Sequence, residues 1–152
     1  METALTTLTN RKSLLKKCEI LWSFVTRSAL ACGRCKARSD SVESFDAHHI
    51  LGRGLSIKFD PENGFCLCQD CHRILTHGTP RGEQELRAWI EQKFQTRYAR
   101  LVERKAELAV SFDPQAQLFA LLAEIPRRGL LRDWDAYKAR HLGVSLLFQD
   151  EA

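Results

Sequence analysis

The chain has 152 residues, of which 44% are hydrophobic and 28% are charged, and its formal net charge is +4. This length predicts one domain with helical additions, and the mild positive charge permits a polyanionic partner such as nucleic acid without requiring one. Apolar runs are too short to cross a bilayer, and residues 1–5 lack the basic start of a secretory signal, so we expect a cytoplasmic protein without a membrane span.

An amphipathic helix is predicted over about residues 10–31. Its apolar residues recur at intervals of three and four and share one face: Leu14, Cys18, Leu21, Val25 and Ala29. After a Cys-x-x-Cys motif and a polar stretch, residues 45–50 suit a short strand or one arm of a hairpin. The glycines at positions 52 and 54 are expected to end that arm.

The second arm of the hairpin is predicted after a turn over residues 60–64. The sequence Asp-Pro-Glu-Asn-Gly indicates a turn because proline presets one backbone dihedral and Asn-Gly tolerates positive φ. Residues 65–67 follow as a short apolar strand. A short helix should then begin at Cys68 and end near Gly78 and Pro80.

Three further helices are predicted towards the C terminus. The first runs from Gly82 to about Ala109, with these residues on one face: Leu86, Ile90, Phe94, Tyr98 and Val102. The second begins at Asp113-Pro114 and ends near Ile125, and the third covers residues 132–142.

Four of the six cysteines form two Cys-x-x-Cys pairs. In a reducing compartment this spacing favours metal binding over disulfides, because each pair presents two thiolates from a tight turn. We predict one structural zinc ion with four ligands: Cys32, Cys35, Cys68 and Cys71. The alternative is a set of ordinary buried cysteines. Cys66 competes as a ligand by position, but it alternates with Leu67 on a strand and, like Cys18, is expected in the core.

The segment between the cysteine pairs contains the adjacent histidines His48 and His49 and then Asn63, and His72 directly follows the last paired cysteine. This combination resembles the HNH endonuclease family over about residues 32–77. The resemblance implies a ββα-metal fold, in which a two-stranded hairpin and one helix hold a divalent ion. The compact chain is more similar to phage-type members than to large multidomain ones.

The expected fold is therefore α+β: a small ββα-metal (HNH) core with a four-cysteine zinc site, surrounded by several α-helices. Residues 1–31 would form an N-terminal helix and residues 32–80 the zinc-knuckle nuclease core. Residues 81–152 would form a helical C-terminal region that packs on this core.

The resemblance also implies roles for individual residues. His49 would be the general base that activates water, and Asn63 would hold the catalytic loop and the base in register. His48 and His72 would be metal ligands. His77 is a further candidate ligand, but it lies about 140° around a continuous helix from His72, so it would reach the ion only where the helix has unwound near Gly78.

Elementary chemistry favours the same division of His48 and His49. Adjacent residues on a strand point to opposite faces, so one can be a ligand and the other a base. A neutral imidazole can take a proton from water, while Mg²⁺, Mn²⁺, Ni²⁺ or Zn²⁺ would stabilise charge on a phosphate. Taken singly, Asn63-Gly64 is also explained as a turn, and a histidine beside a zinc knuckle can serve only to hydrogen-bond a thiolate.

Basic residues near these motifs are candidate DNA contacts: Arg34, Lys36, Arg53, Lys58 and Arg73. Arg53, between two glycines, is the favoured phosphate contact. Four more basic residues form a stripe at helical spacing: Lys93, Arg97, Arg100 and Arg104. Intervening glutamates dilute the stripe, which favours a solvated helix face.

The sequence thus predicts a metal-dependent DNA endonuclease that nicks or cuts phosphodiester bonds with one catalytic divalent cation. One alternative is a non-catalytic zinc-stabilised module that binds nucleic acid, which would need the cysteines and basic residues but not the histidines. Another is a protein-interaction module, in which the C-terminal helices dock a protein partner or form a homodimer.

Overall fold

The structure is a computed structural model that describes residues 4–52, 54, 56–108 and 112–142. Side chains are described within residues 10–52, 54, 56–74, 78–107 and 112–142. These residues form six α-helices and one two-stranded antiparallel sheet, so the predicted α+β class is confirmed. The elements are α1 (Ala4–Arg27), β1 (Phe45–His49), β2 (Gly64–Cys68), α2 (Gln69–His77), α3 (Pro80–Lys93), α4 (Gln95–Leu108), α5 (Pro114–Arg127) and α6 (Leu131–His141).

β1 and β2 form the predicted hairpin, and α2 follows β2 without a connecting loop. The register pairs Phe45 with Cys68 at one end of the hairpin and His49 with Gly64 at the other. Cys68 caps α2, because its Sγ accepts a hydrogen bond from the backbone N–H of Cys71 at 3.4 Å. The order strand, strand, helix gives a ββα unit.

The turn before β2 forms as predicted, but Gly64 has a different role in it. Residues 61–63 form a single 3-10 turn, and Gly64 is extended, with φ −139° and ψ 147°. The positive φ that Asn-Gly tolerates is therefore not used. A Cβ at Gly64 would lie 2.5 Å from Oγ1 of Thr26 and 3.0 Å from Cζ2 of Trp22. The absence of a side chain thus lets β2 approach α1 closely.

α1 is the central helix of the structure, since it contacts α5 and both strands. Its buried residues Leu21, Phe24 and Val25 share one core cluster with Leu121 and Ile125 of α5. Full burial of each such side chain is worth about 1.5–3 kcal/mol. α1 therefore joins the hairpin to the C-terminal helices.

The single helix predicted over residues 82–109 is wrong. α3 and α4 are separated at Phe94, which has φ −103° and ψ 29°. The Phe94 ring packs against Phe65 of β2, with the ring centroids 5.1 Å apart. The break changes the face of α4 that meets the core, so Leu101 is fully buried while Val102 is 46% exposed. Contact with the hairpin thus overrides the apolar periodicity.

α5 begins where the sequence predicts. The Asp113 carboxylate accepts a hydrogen bond from Gln115 N–H at 3.0 Å, and Pro114 occupies the first turn. Phe119 on α5 and Leu131 on α6 are 58% and 56% exposed. A homodimer or protein contact through these helices stays a prediction.

None of the described helices is both long and apolar enough to cross a membrane. The division of the chain at residues 31 and 80 stays a prediction, as does the cytoplasmic location.

Candidate metal centres and catalytic cleft

Four cysteine thiols converge beside the hairpin. Cys32 and Cys35 follow α1, Cys68 ends β2 and Cys71 lies in the first turn of α2. Their Sγ atoms all lie within 4.8 Å of one another, and those of Cys35 and Cys68 are 3.7 Å apart. A tetrahedral zinc ion with Zn–S bonds of about 2.3 Å would separate its sulfurs by about 3.8 Å. The cluster therefore suits a structural metal such as zinc, as the cysteine spacing predicts.

Backbone N–H groups favour a thiolate at Cys32. Its Sγ accepts from the N–H of Arg34 at 3.4 Å and of Cys35 at 3.5 Å. Burial by itself would raise the pKa of the Cys32 thiol, but hydrogen bonds from the backbone of Cys35, Cys68 and Arg34 outweigh burial and lower the pKa to about 6. Burial and the neighbouring Cys68 and Cys32 sulfurs raise the pKa of Cys71 to about 12. A bound cation would remove that repulsion between thiolates.

Cys66 and Cys18 lie outside this four-sulfur cluster, as expected from their positions in the sequence. Cys66 is buried with its Sγ 3.9 Å from the carbonyl oxygen of Arg27, and burial raises its pKa to about 11. Cys18 is fully buried and its Sγ donates to the carbonyl oxygen of Pro114 at 3.5 Å. Both are core residues.

A separate cleft of about 700 Å³ is bordered by α1, β1, α2, α3 and α6. His48 and His49 line it from β1, and His72 lines it from α2. The fold thus brings together three of the histidines that the sequence singled out.

His48 and His72 lie side by side, with their ring centroids 5.6 Å apart. Burial, followed by the charges of His72, His49 and Arg87, lowers the pKa of His48 to about 4. The His48 ring is therefore neutral near pH 7, as a metal ligand must be. Imidazole nitrogens lie about 2 Å from a bound ion, so two rings at this separation suit one divalent cation.

Asp46 also lines the cleft and is not among the site residues predicted from the sequence. Its carboxylate Oδ2 lies 3.0 Å from Nδ1 of His72. A carboxylate bound to one imidazole nitrogen orients the other nitrogen towards a metal. Asp46 and His48 are two positions apart on β1 and so share a strand face. That spacing was the signal that could have identified Asp46.

His49 has different surroundings although it is next to His48. Its Nε2 lies 2.9 Å from the carbonyl oxygen of Lys58, and its ring stacks on Trp22 with centroids 4.1 Å apart and planes 12° apart. When Nε2–H donates to this carbonyl, Nδ1 carries the lone pair that a base requires. The two neighbouring histidines thus have separate environments within one cleft.

The HNH endonuclease family model matches residues 32–78, which include the cysteine cluster and the three histidines that line the described part of the cleft. The chain contains an HNH domain. Its presence indicates a nuclease-type function with metal binding and a nucleic acid as the substrate class. No curated protein and no solved structure matches the chain.

Asn63 is fully buried inside the HNH domain. Its Oδ1 accepts from Leu51 N–H at 2.8 Å, and its Nδ2 donates to the carbonyl oxygens of Leu51 at 3.3 Å and Ile57 at 3.0 Å. The side chain therefore ties the turn before β2 to the loop that follows β1. These contacts go beyond what a simple turn needs.

The described DNA contacts predicted for the HNH domain lie beside the cysteine cluster, on α2 and in the loop after β1, and none of them lines the cleft. Arg34 donates to Cys71 Sγ at 3.7 Å, and Lys36 donates to a backbone carbonyl of the knuckle at 3.2 Å. Arg73 lies 3.7 Å from Asp70. The Lys58 ammonium lies 5.2 Å from the centroid of the Phe59 ring. Arg53 and the side chain of His77 lie outside the described residues.

Among the described residues, the arginines that line the cleft come from helices outside the HNH domain: Arg27 of α1 and Arg87 of α3. Arg27 is held by the hydroxyl of Tyr137 at 3.1 Å and by two backbone carbonyls. Arg87 is exposed. Neither arginine could be predicted from the sequence, because their place in the cleft depends on how the helices pack.

The basic stripe on α3 and α4 contacts the HNH domain. Arg104 pairs with Asp60, and Arg100 lies 3.6 Å from Glu62. Lys93 and Arg97 donate to backbone carbonyl oxygens of residues 33 and 64 at 2.6 Å and 3.4 Å. The stripe therefore helps to attach these helices to the hairpin.

Proposed function

We propose that this chain is a metal-dependent DNA endonuclease that hydrolyses phosphodiester bonds with a histidine general base and one catalytic divalent cation. The observation that carries the proposal is the meeting of His48, His49 and His72 of the HNH domain in one cleft. Two of these rings lie together, and the third is held separately by a backbone carbonyl. Two histidines that bind a cation and a third that acts as the base form the set of groups that hydrolysis requires.

His49 is the proposed general base. Nε2–H remains on the Lys58 carbonyl, and Nδ1 takes a proton from the attacking water. Asn63 supports this arrangement, because it binds the loop at Leu51 and Ile57 and so holds the segment that leads to Lys58. The geometry of the base thus depends on the buried amide.

His48 and His72 are the proposed ligands of the catalytic cation, for which Mg²⁺, Mn²⁺, Ni²⁺ and Zn²⁺ are candidates. A bound cation supplies Lewis-acid stabilisation of the charge that develops on the phosphate. Asp46 holds Nδ1 of His72 and so directs the opposite nitrogen into the cleft. His77 stays a candidate third ligand.

Positive side chains support DNA as the substrate. Arg87 lines the cleft from α3 and would meet a phosphate there. Further phosphate contacts are proposed at the knuckle, on α2 and in the loop after β1: Arg34, Lys36, Arg73, Arg53 and Lys58. Such contacts provide affinity that does not depend on base sequence.

Cleavage of supercoiled plasmid by the purified, zinc-loaded chain tests this proposal, with Mg²⁺, Mn²⁺, Ni²⁺ or Zn²⁺ added or with no added cation. The wild-type chain should nick or cut DNA with at least one added cation. His49→Ala should lower the rate by about 10²–10⁴-fold, the usual contribution of a general base. Its zinc content and circular dichroism spectrum should match those of the wild type.

His141→Ala is the matched control, because His141 lies on α6, pairs with Glu43 and does not line the cleft. It should cleave at the wild-type rate. Full activity of His49→Ala would overturn the assignment of the base. No cleavage with any cation would favour the non-catalytic zinc module instead.

A further inference from the structure

We infer that Trp22, which lies on α1 outside the HNH domain, is a positioning residue for the general base His49. This inference rests on the proposed function. The indole and imidazole rings are stacked, with centroids 4.1 Å apart and planes 12° apart. Trp22 is only 4% exposed, so its ring has little freedom to move away. The imidazole is therefore supported across one whole face.

The indole is also fixed at its polar edge. Nε1 of Trp22 donates to the carbonyl oxygen of Asp60 at 3.1 Å. Asp60 lies two residues after Lys58, whose carbonyl oxygen lies 2.9 Å from Nε2 of His49. Trp22 thus contacts both the base and the chain segment that orients the base. Trp22 therefore sets the position of His49 relative to the Lys58 carbonyl oxygen, its hydrogen-bond partner.

Gly64 allows this contact. It pairs with His49 in the hairpin register, and a Cβ at Gly64 would lie 3.0 Å from Cζ2 of Trp22. Any larger residue would press on the indole from the neighbouring strand. The hairpin is therefore shaped at this end to accept the Trp22 ring beside the His49 ring.

Small errors in the position of a catalytic group have large effects, since a displacement of about 1 Å can lower a rate by about 10²-fold. The inference predicts that removal of the indole will lower the rate of the chemical step and leave DNA binding intact. If Trp22 had only a structural role, its removal would lower the stability of the protein but would not lower the rate of the chemical step while DNA affinity stays the same.

The experiment measures single-turnover cleavage at saturating DNA and saturating metal ion, and DNA affinity in parallel, for Trp22→Leu, Trp22→Phe and Phe24→Leu. Trp22→Leu should lower the rate by about 10²-fold and leave the Kd for DNA within about twofold. Trp22→Phe should recover part of the rate, because it restores a stacked ring without the Nε1–H donor. All variants are compared at a temperature where each is folded by circular dichroism.

Phe24→Leu is the matched control. Phe24 lies on the same helix in the same core cluster, is 1% exposed, and packs on Trp134 and Tyr137. It should lower the melting temperature as Trp22→Leu does but leave the cleavage rate of the folded protein at the wild-type value. Equal rates for Trp22→Leu and Phe24→Leu would overturn the inference.

Nuclear magnetic resonance of the His49 ring protons gives a readout that does not need activity. Stacking on the indole should shift these protons upfield, and Trp22→Leu should remove the shift. An unchanged spectrum in Trp22→Leu would overturn the inference even if the rate falls. A wild-type chain that never cleaves DNA would overturn the proposed function, and with it the base that Trp22 positions.

Discussion

The two candidate metal centres of the HNH domain differ in how completely their side chains surround a cation. The cysteine cluster offers four sulfurs within 4.8 Å of one another, whereas His48 and His72 border a cleft of about 700 Å³. Closed four-ligand sites stabilise folds, and sites with open positions perform chemistry. Cys71 and His72 are neighbours on α2, so the comparison predicts different consequences for changes at two adjacent residues.

Cys71→Ser should have the largest effect, because it removes one of four sulfurs. Structural zinc contributes about 10 kcal/mol or more in small zinc domains, which matches the whole stability of a typical domain, about 5–15 kcal/mol. We expect loss of bound zinc and unfolding of the HNH domain, measured by elemental analysis and thermal denaturation.

Cys66→Ala provides the control for this change, since Cys66 is buried but lies outside the cluster. It should retain one zinc ion per chain. A Cys71→Ser chain with full zinc content and the wild-type melting temperature would show that the cluster is not a structural metal site.

His72→Ala should give the opposite pattern. It removes a proposed ligand of the catalytic cation, and we expect cleavage to fall by about 10³-fold, which corresponds to about 4 kcal/mol of transition-state stabilisation. Zinc content and melting temperature should stay close to wild-type values. Loss of zinc together with activity would remove the distinction between the two centres.

Asp46→Asn should have a smaller effect that sharpens the comparison. Changes to residues that orient metal ligands typically lower metal affinity by about 10–100-fold. The Mn²⁺ concentration for half-maximal cleavage should therefore rise, while the rate at saturating Mn²⁺ stays near the wild-type rate. Asp70→Asn is the control, because Asp70 is an exposed carboxylate on α2 that pairs with Arg73. Equal shifts in both variants would contradict a specific role for Asp46.

The parts of the site that lie close together in sequence could be predicted from it. Each Cys-x-x-Cys pair forms one tight turn, so local spacing was enough to indicate the four-sulfur cluster. The hairpin and α2 were predictable for the same reason, because their signals are also local. Within the HNH domain, the turn, the short apolar strand β2 and α2 follow one another directly along the chain.

Features that depend on distant contacts could not be predicted. Trp22 meets His49 only because α1 packs across the hairpin, and Arg87 lines the cleft only because α3 folds back beside it. The break at Phe94 has no proline or glycine to signal it and follows from contact with Phe65. The burial of Leu101 in place of Val102 is a direct result of that break.

Gly64 gives the molecule an unusual pattern of mutational tolerance. Its backbone is extended, so other residues could adopt its dihedral angles. Even the methyl group of alanine would nevertheless meet Thr26 and Trp22. In a saturation screen scored by DNA cleavage, we expect position 64 to be as intolerant as the histidines. Selection for activity would thus preserve Gly64, a residue that has no functional group, because the Trp22 ring beside His49 occupies the space that a side chain at position 64 would need.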